Sequence, residues 1–128
     1  MIINNSFGKT ERLYSAKVIR KLFDTGGKIN NYPLRIIWKL TDKSDSQQVK
    51  ILISVPKNKF AKAIERNLIK RHIREVYRKN KHILYTVLAE KELNSIDIAF
   101  IFTGKNIVEY NELENKVISG LQNLVEFL

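Results

Sequence analysis

The chain has 128 residues, 44% of them hydrophobic and 28% charged, with 23 Lys and Arg against 13 Asp and Glu, a net charge of +10 and a sequence pI near 9.9. That length suits one domain with its own core, and the composition is that of a folded chain rather than a disordered one. With no cysteine, a disulfide scaffold, a thiolate zinc site and a cysteine nucleophile are excluded, while the excess of cations points to a polyanionic partner.

The opening residues, Met1-Ile2-Ile3-Asn4-Asn5-Ser6-Phe7, lack the apolar run of a signal peptide, and no apolar stretch approaches the ~18 residues of a membrane span. The expectation is a cytoplasmic protein without a membrane partner. Residues 10–23 read as a helix, with Val18, Ile19, Leu22 and Phe23 on one side and Gly26-Gly27 as its stop. Tyr32-Pro33 leads into a strand over 34–40, in which Leu34, Ile36, Trp38 and Leu40 share one face and Arg35, Ile37 and Lys39 the other. After a polar turn over 41–48, a second strand runs over 49–55 with Val49, Ile51, Ile53 and Val55 on one side. The two strands are expected to pair as an antiparallel hairpin with a core side and an accessible side.

Pro56 ends the second strand because it cannot donate to a ladder. A short turn or loop over 60–64 precedes one long helical pattern from Arg66 to about Glu92. A third strand covers 96–102, closed by Thr103-Gly104. A last amphipathic helix covers 110–127, with Leu113, Val117, Leu121 and Leu124 as its apolar stripe and Gly120 as a weak point. The order α-β-β-α-β-α predicts a single-domain α+β fold, a two-layer α/β sandwich, with no repeat, low-complexity segment or linker.

Of the ten net positive charges, eight fall within residues 57–82, whereas the stretch from 108 to the end is acidic. At about 100° per helical residue, Arg66, Lys70, Arg74, Asn67, Arg78 and Arg71 fill one continuous arc of about 140°. Ile69, Ile73 and Val76 form an apolar stripe beside that arc, with Tyr77 at its border. Arg66/Lys70, Lys70/Arg74 and Arg74/Arg78 are like-charged pairs at i, i+4, which weaken an isolated helix by tenths of a kcal/mol each. Helix stability does not explain such an arrangement, but a phosphate backbone does: guanidinium forks match phosphate geometry and neutralised phosphates release counterions. Asn67 can reach a sugar or a base edge.

The remaining candidates read more simply. His72 and His82 stand ten residues apart with no carboxylate at ligand spacing, so no metal site is expected. Trp38 belongs with the core face of its strand, Phe23 fits either core or surface cleft, and Gly26-Gly27 is a turn rather than a phosphate loop. No Ser/His/Asp set or isolated carboxylate pair stands out, so no catalytic residue is assigned to the protein.

The segment Ala63-Ile64-Glu65-Arg66-Asn67-Leu68-Ile69-Lys70-Arg71-His72-Ile73-Arg74-Glu75 resembles the Arg-Asn-Arg-x-(Lys/Arg)-Arg-x-x-Arg box of the bacterial ribonuclease P protein subunit. The resemblance extends to Phe7, Lys9, Arg12 and Leu13 near the start, to Leu22-Phe23-x-x-Gly26, and to Ser54-Val55-Pro56-Lys57 before the box. Leu68 departs from it, standing where the family usually has arginine. Ile19 and Ile37 stand where aromatics are frequent, leaving apolar contact in place of stacking.

The resemblance implies a mixed sheet packed on helices with an unusual left-handed β-α-β crossover, a fold like ribosomal protein S5 domain 2. It implies a protein subunit of an endoribonuclease whose catalysis is carried by RNA and which removes the 5′ leader of precursor tRNA. The partners implied are the catalytic RNA and precursor tRNA, with no stable protein partner, and the Mg²⁺ ions would be held mainly by the RNA subunit and substrate. Carried onto this chain, the RNA-binding residues are Arg66, Asn67, Lys70, Arg71, Arg74, Arg78 and Lys57, and the leader cleft is formed by Ile19, Phe23, Arg35, Ile37 and Lys39. Composition alone leaves open a ribosomal or other structural RNA-binding protein. A DNA-binding regulator fits less well, because the basic helix is long and its arc wide.

Overall fold

A computed structural model describes residues 12–13, 15–42 and 48–128. The matches at Phe7 and Lys9, the first residues of the expected opening helix, Tyr14 and most of the 41–48 turn lie outside the described residues. The elements are α1 (Ala16–Thr25), β1 (Gly27–Asn31), β2 (Leu34–Thr41), β3 (Val49–Ser54), α2 (Ala63–Asn80), α3 (His82–Glu90), β4 (Ser95–Phe102) and α4 (Tyr110–Glu126).

The first helix starts later than its periodicity suggests. Ser15 is its N-cap, the hydroxyl accepting from the Val18 N–H at 3.4 Å and satisfying a donor that a helix start leaves unpaired. Arg12 and Leu13 are extended instead, and the Leu13 N–H donates to the Ile51 carbonyl at 2.9 Å. The helix stops at Gly26. A Cβ there would stand 2.5 Å from the Leu22 carbonyl oxygen and 2.8 Å from that of Trp38, so only glycine lets the chain pass from helix to strand so close to β2.

β1 has no apolar alternation, and Ile29 is its one buried residue. It is a strand because it pairs antiparallel with β2, from Gly27 opposite Trp38 to Asn31 opposite Leu34, across a Tyr32–Pro33 turn whose peptide bond is cis. The Asn31 side-chain amide donates to the Lys116 carbonyl and the Ser119 hydroxyl, both at 2.8 Å, fastening this edge strand to α4.

The expected hairpin between β2 and β3 does not form. The sheet order is β1-β2-β4-β3: β4 lies between them, antiparallel to β2 from Leu34/Phe102 to Thr41/Ser95 and parallel to β3 from Val49/Ile96 to Ser54/Ile101. The reason is apolar content. All but one residue of β4 is buried, and a strand that is apolar on both faces gains most from a central place, which leaves the mixed-faced β3 at the edge and β2 between β4 and β1. A parallel neighbour needs a long crossover, here supplied by α2 and α3.

That crossover is two helices rather than one. The Asn80 side-chain amide donates to the Val76 carbonyl at 2.9 Å, competing with the main chain. Lys81 then turns inward, only 2% exposed, with its ammonium 5.6 Å from the centre of the Tyr85 ring, before α3 begins.

One face of the sheet carries the main core. Leu34, Ile36, Ile51, Ile96, Ile98 and Phe100 meet Ile69, Ile73, Val76 and Tyr77 of α2, Leu84 and Leu88 of α3, and Leu113, Val117, Leu121 and Leu124 of α4. Trp38 joins this side, half-buried against Phe127 with ring centres 6.0 Å apart. Gly120, a weak point for helix propensity, is where α4 lies against β2: a Cβ would stand 2.5 Å from Ile36 Cδ1. The opposite face carries a smaller core of Leu13, Leu22, Ile37 and Ala99, flanked by Val18, Ile19 and Phe23. Thus α1 covers part of what β2 alone presents as an accessible side.

Candidate nucleic-acid interface

The basic helix α2 is placed by its own apolar stripe. Ile69, Ile73, Val76 and Tyr77 are buried against sheet and α4, and the neighbouring arc is thereby held toward solvent. No side chain caps α2 at Lys62; Arg66, one turn in, reaches back instead. Its Nη1 donates to the carbonyls of Phe60 at 2.7 Å and Ala61 at 2.9 Å, so this guanidinium also anchors the loop from β3. Lys57 is exposed on that loop.

Asn67 and Arg71 are exposed, and Lys70 and Arg74 partly so. Two grooves share Lys70 and Arg74: one of about 480 Å³ on the outer face of α2, with Ile64, Asn67, Leu68 and Arg71, and one of about 240 Å³ toward β3, with Arg12 and Leu13. The Arg74 Nε is buried and meets no acceptor among the described residues. Arg78 differs from the rest of the arc. Its Nη2 lies 2.6 Å from Glu75 Oε1 and its Nε 3.1 Å from Oε2. That hydrogen bond holds the Glu75 carboxyl below the usual carboxylate range and pushes Arg78 up. Lys79 stands 3.9 Å from the same carboxylate. Glu75, not the acidic last helix, is the counter-ion found on this face among the described residues. His72 packs edge-on against Tyr110, 5.4 Å between ring centres, a joint between α2 and α4.

The second group of predicted residues surrounds α1. Arg35, Ile37 and Lys39 do share the sheet face on which α1 lies, but Ile37 is not open: it is 4% exposed, packed with Leu22 and Ala99. The close approach of α1 at Gly26 explains this correction, since Ile37 Cγ2 lies 3.0 Å from where a Gly26 Cβ would be. Ile19 and Phe23 are half-buried against the same small core. Arg35 is exposed, its Nε donating to Asn30 Oδ1 at 3.1 Å, and Lys39 donates to the Thr25 hydroxyl at 2.6 Å. A hollow of about 510 Å³ opens between α1 and the end of β2, where Lys17, Lys21 and Lys39 face Asp42 and Asp97. Sequence pattern does not single out Lys17, Lys21 or Asp97. A lone carboxylate within Ile96-Asp97-Ile98 is the one signal that something polar meets that strand, and in register Asp97 stands between Lys39 and Lys50.

Comparison with known proteins agrees with this arrangement. The family model described as Ribonuclease P matches residues 7–125. A ribonuclease P protein component of Porphyromonas gingivalis is 34% identical over 113 residues, covering 88% of this chain and 82% of that protein. Another, from Petrotoga mobilis, is 29% identical over 126 residues, covering 93% and 95%. Among solved structures, the RNase P protein of Thermotoga maritima superposes with a TM-score of 0.70 at 22% identity, over 88% of this chain and 96% of that one. That of Staphylococcus aureus gives 0.68 at 18% identity, over 92% and 97%. With the basic helix and sheet order already in place, the sequence match across nearly the whole length leads to one conclusion: the chain belongs to the ribonuclease P protein family.

Proposed function

We propose that the outward face of α2 docks on the catalytic RNA of ribonuclease P and that the cleft between α1 and the sheet receives the 5′ leader of precursor tRNA. As a member of its family, the chain is the protein subunit of a ribonucleoprotein endoribonuclease whose catalysis is carried by RNA. The observation that carries the docking assignment is the strip Asn67, Lys70, Arg71 and Arg74 on one helix: Asn67 and Arg71 exposed, Lys70 and Arg74 partly so, and the three cations without an ion pair among the described residues. Each phosphate met by such a cation releases counterions. Arg78 and Lys57 extend the strip, Arg78 with its charge shared with Glu75.

Exposed Arg35 and half-buried Phe23 support the leader assignment; of the five predicted cleft residues Lys39 alone lines the hollow that holds Lys17 and Lys21, which project from the side of α1 opposite Ile19 and Phe23. Ile37 acts there from beneath, by holding α1 in place. The Mg²⁺ ions of phosphodiester cleavage are held in this reading mainly by RNA and substrate. The chain's own part is affinity and positioning. A cytoplasmic setting belongs to the same proposal, and no described helix is long and apolar enough to cross a membrane.

The test is reconstitution. Cognate ribonuclease P RNA, precursor tRNA and the purified chain are combined at a Mg²⁺ concentration where RNA alone is slow. Cleavage at the mature 5′ end is restored by the wild type, and Arg35→Ala weakens binding of precursor tRNA more than of mature tRNA. Equal weakening of both would remove the leader assignment; no rescue of cleavage would remove the function.

A further inference from the structure

A helix normally turns its apolar residues toward the core, and α2 does so with Ile69, Ile73, Val76 and Tyr77. Ile64 and Leu68 do not follow. One turn apart, they lie about 145° around the helix from the middle of the buried stripe, and Ile64 is 82% exposed. Isolated apolar side chains on a surface need no explanation, but this pair shares a groove of about 480 Å³ with Asn67, Lys70, Arg71 and Arg74. An apolar floor, one amide and a cationic rim match the chemistry of a single nucleotide: a flat face, a hydrogen-bonding edge and a phosphate on either side.

We propose that Ile64 and Leu68 form the seat of one unpaired, unstacked base of the RNA on which α2 docks, with Asn67 at the base edge and Lys70, Arg71 and Arg74 on the neighbouring phosphates. The proposal rests on the docking reading of α2 and adds a contact that charge alone does not provide. Leu68, which interrupts the run of cations in the basic box, supplies apolar surface at the position where it gives up a charge.

The two kinds of contact respond differently to salt. A phosphate contact weakens steeply as salt rises, whereas burial of a base against Ile64 and Leu68 releases no counterion. The experiment measures the affinity of the full chain for its cognate ribonuclease P RNA over a series of salt concentrations. Wild type, Ile64→Ala/Leu68→Ala, Leu68→Met and Arg71→Ala are compared, and circular dichroism and thermal unfolding check the fold of each. The double variant is expected to bind about five- to tenfold more weakly at every salt concentration with an unchanged slope of log affinity against log salt. Leu68→Met, which keeps the apolar surface, binds as the wild type, and Arg71→Ala reduces the slope by about one. Wild-type affinity in the double variant overturns the base seat alone, as does a change confined to the slope. Salt-independent binding by the wild type itself overturns the docking reading, and the base seat with it.

Discussion

Arg66 and Arg71 sit in the same basic box, yet their surroundings separate their roles. Arg66 Nη1 holds two loop carbonyls at 2.7 and 2.9 Å, and removing a charged donor from such groups costs about 1–2 kcal/mol. Arg66→Ala is therefore expected to lower stability by that amount in urea unfolding, whereas Arg71→Ala, on an exposed side chain, leaves the midpoint within error and weakens RNA binding alone. Equal stability losses in the two variants would contradict the anchor. Glu75 makes a second distinction. Its carboxyl is held below its ordinary pKa by Arg78, so its contribution to folding is complete above the unfolded value of about 4.3 and is lost as pH falls through the folded value. The stability gap between wild type and Glu75→Gln should accordingly close below about pH 4, and a gap constant from neutral to acid pH would contradict the pairing. At neutral pH, Glu75→Gln also releases Arg78 from its counter-ion, and a steeper salt dependence of RNA binding is expected. The residue types of this arc are legible from the 3.6-residue repeat. That Arg66 serves the loop and Arg78 serves Glu75 is not, because the repeat specifies a direction and not a partner.

At the level of elements, the placement of α1 depends on Gly26. Two backbone carbonyl oxygens stand 2.5 and 2.8 Å from any Cβ placed there, and backbone cannot yield as a flexible side chain can. Gly26→Ala should cost about 1–3 kcal/mol and loosen α1 over Ile37, read as a lowered thermal midpoint together with weaker precursor tRNA binding. An unchanged midpoint would show that α1 is not held at this point. The same helix explains why the expected boundaries fail. Apolar spacing locates Val18, Ile19, Leu22 and Phe23 on one side but cannot show that Ser15 opens the helix and that Leu13 pairs with Ile51. β1 carries almost no local signal, being a polar segment made into a strand by its neighbours β2 and α4. Asn80 and Lys81 break the long basic helix through interactions that periodicity does not register.

For the whole molecule, fold class and the site of highest charge follow from pattern, whereas strand order does not. Proximity in the chain favours a β2–β3 hairpin; the apolar β4 displaces it because burial on two faces outweighs a short connection. The result places β3 at one edge beside α2, so that Lys70 and Arg74 of the helix share a groove with Arg12 and the outer surface of β3. Two basic regions, one on α2 and one around α1, thus stand on a single frame. If the α2 strip exists to meet phosphates, the slope of log affinity against log salt for cognate ribonuclease P RNA reports it most directly. Wild type is compared with Lys70→Ala/Arg71→Ala/Arg74→Ala. A slope shallower by about three in the triple variant is predicted, about one for each cation removed from a phosphate; the same slope in both proteins would contradict the claim.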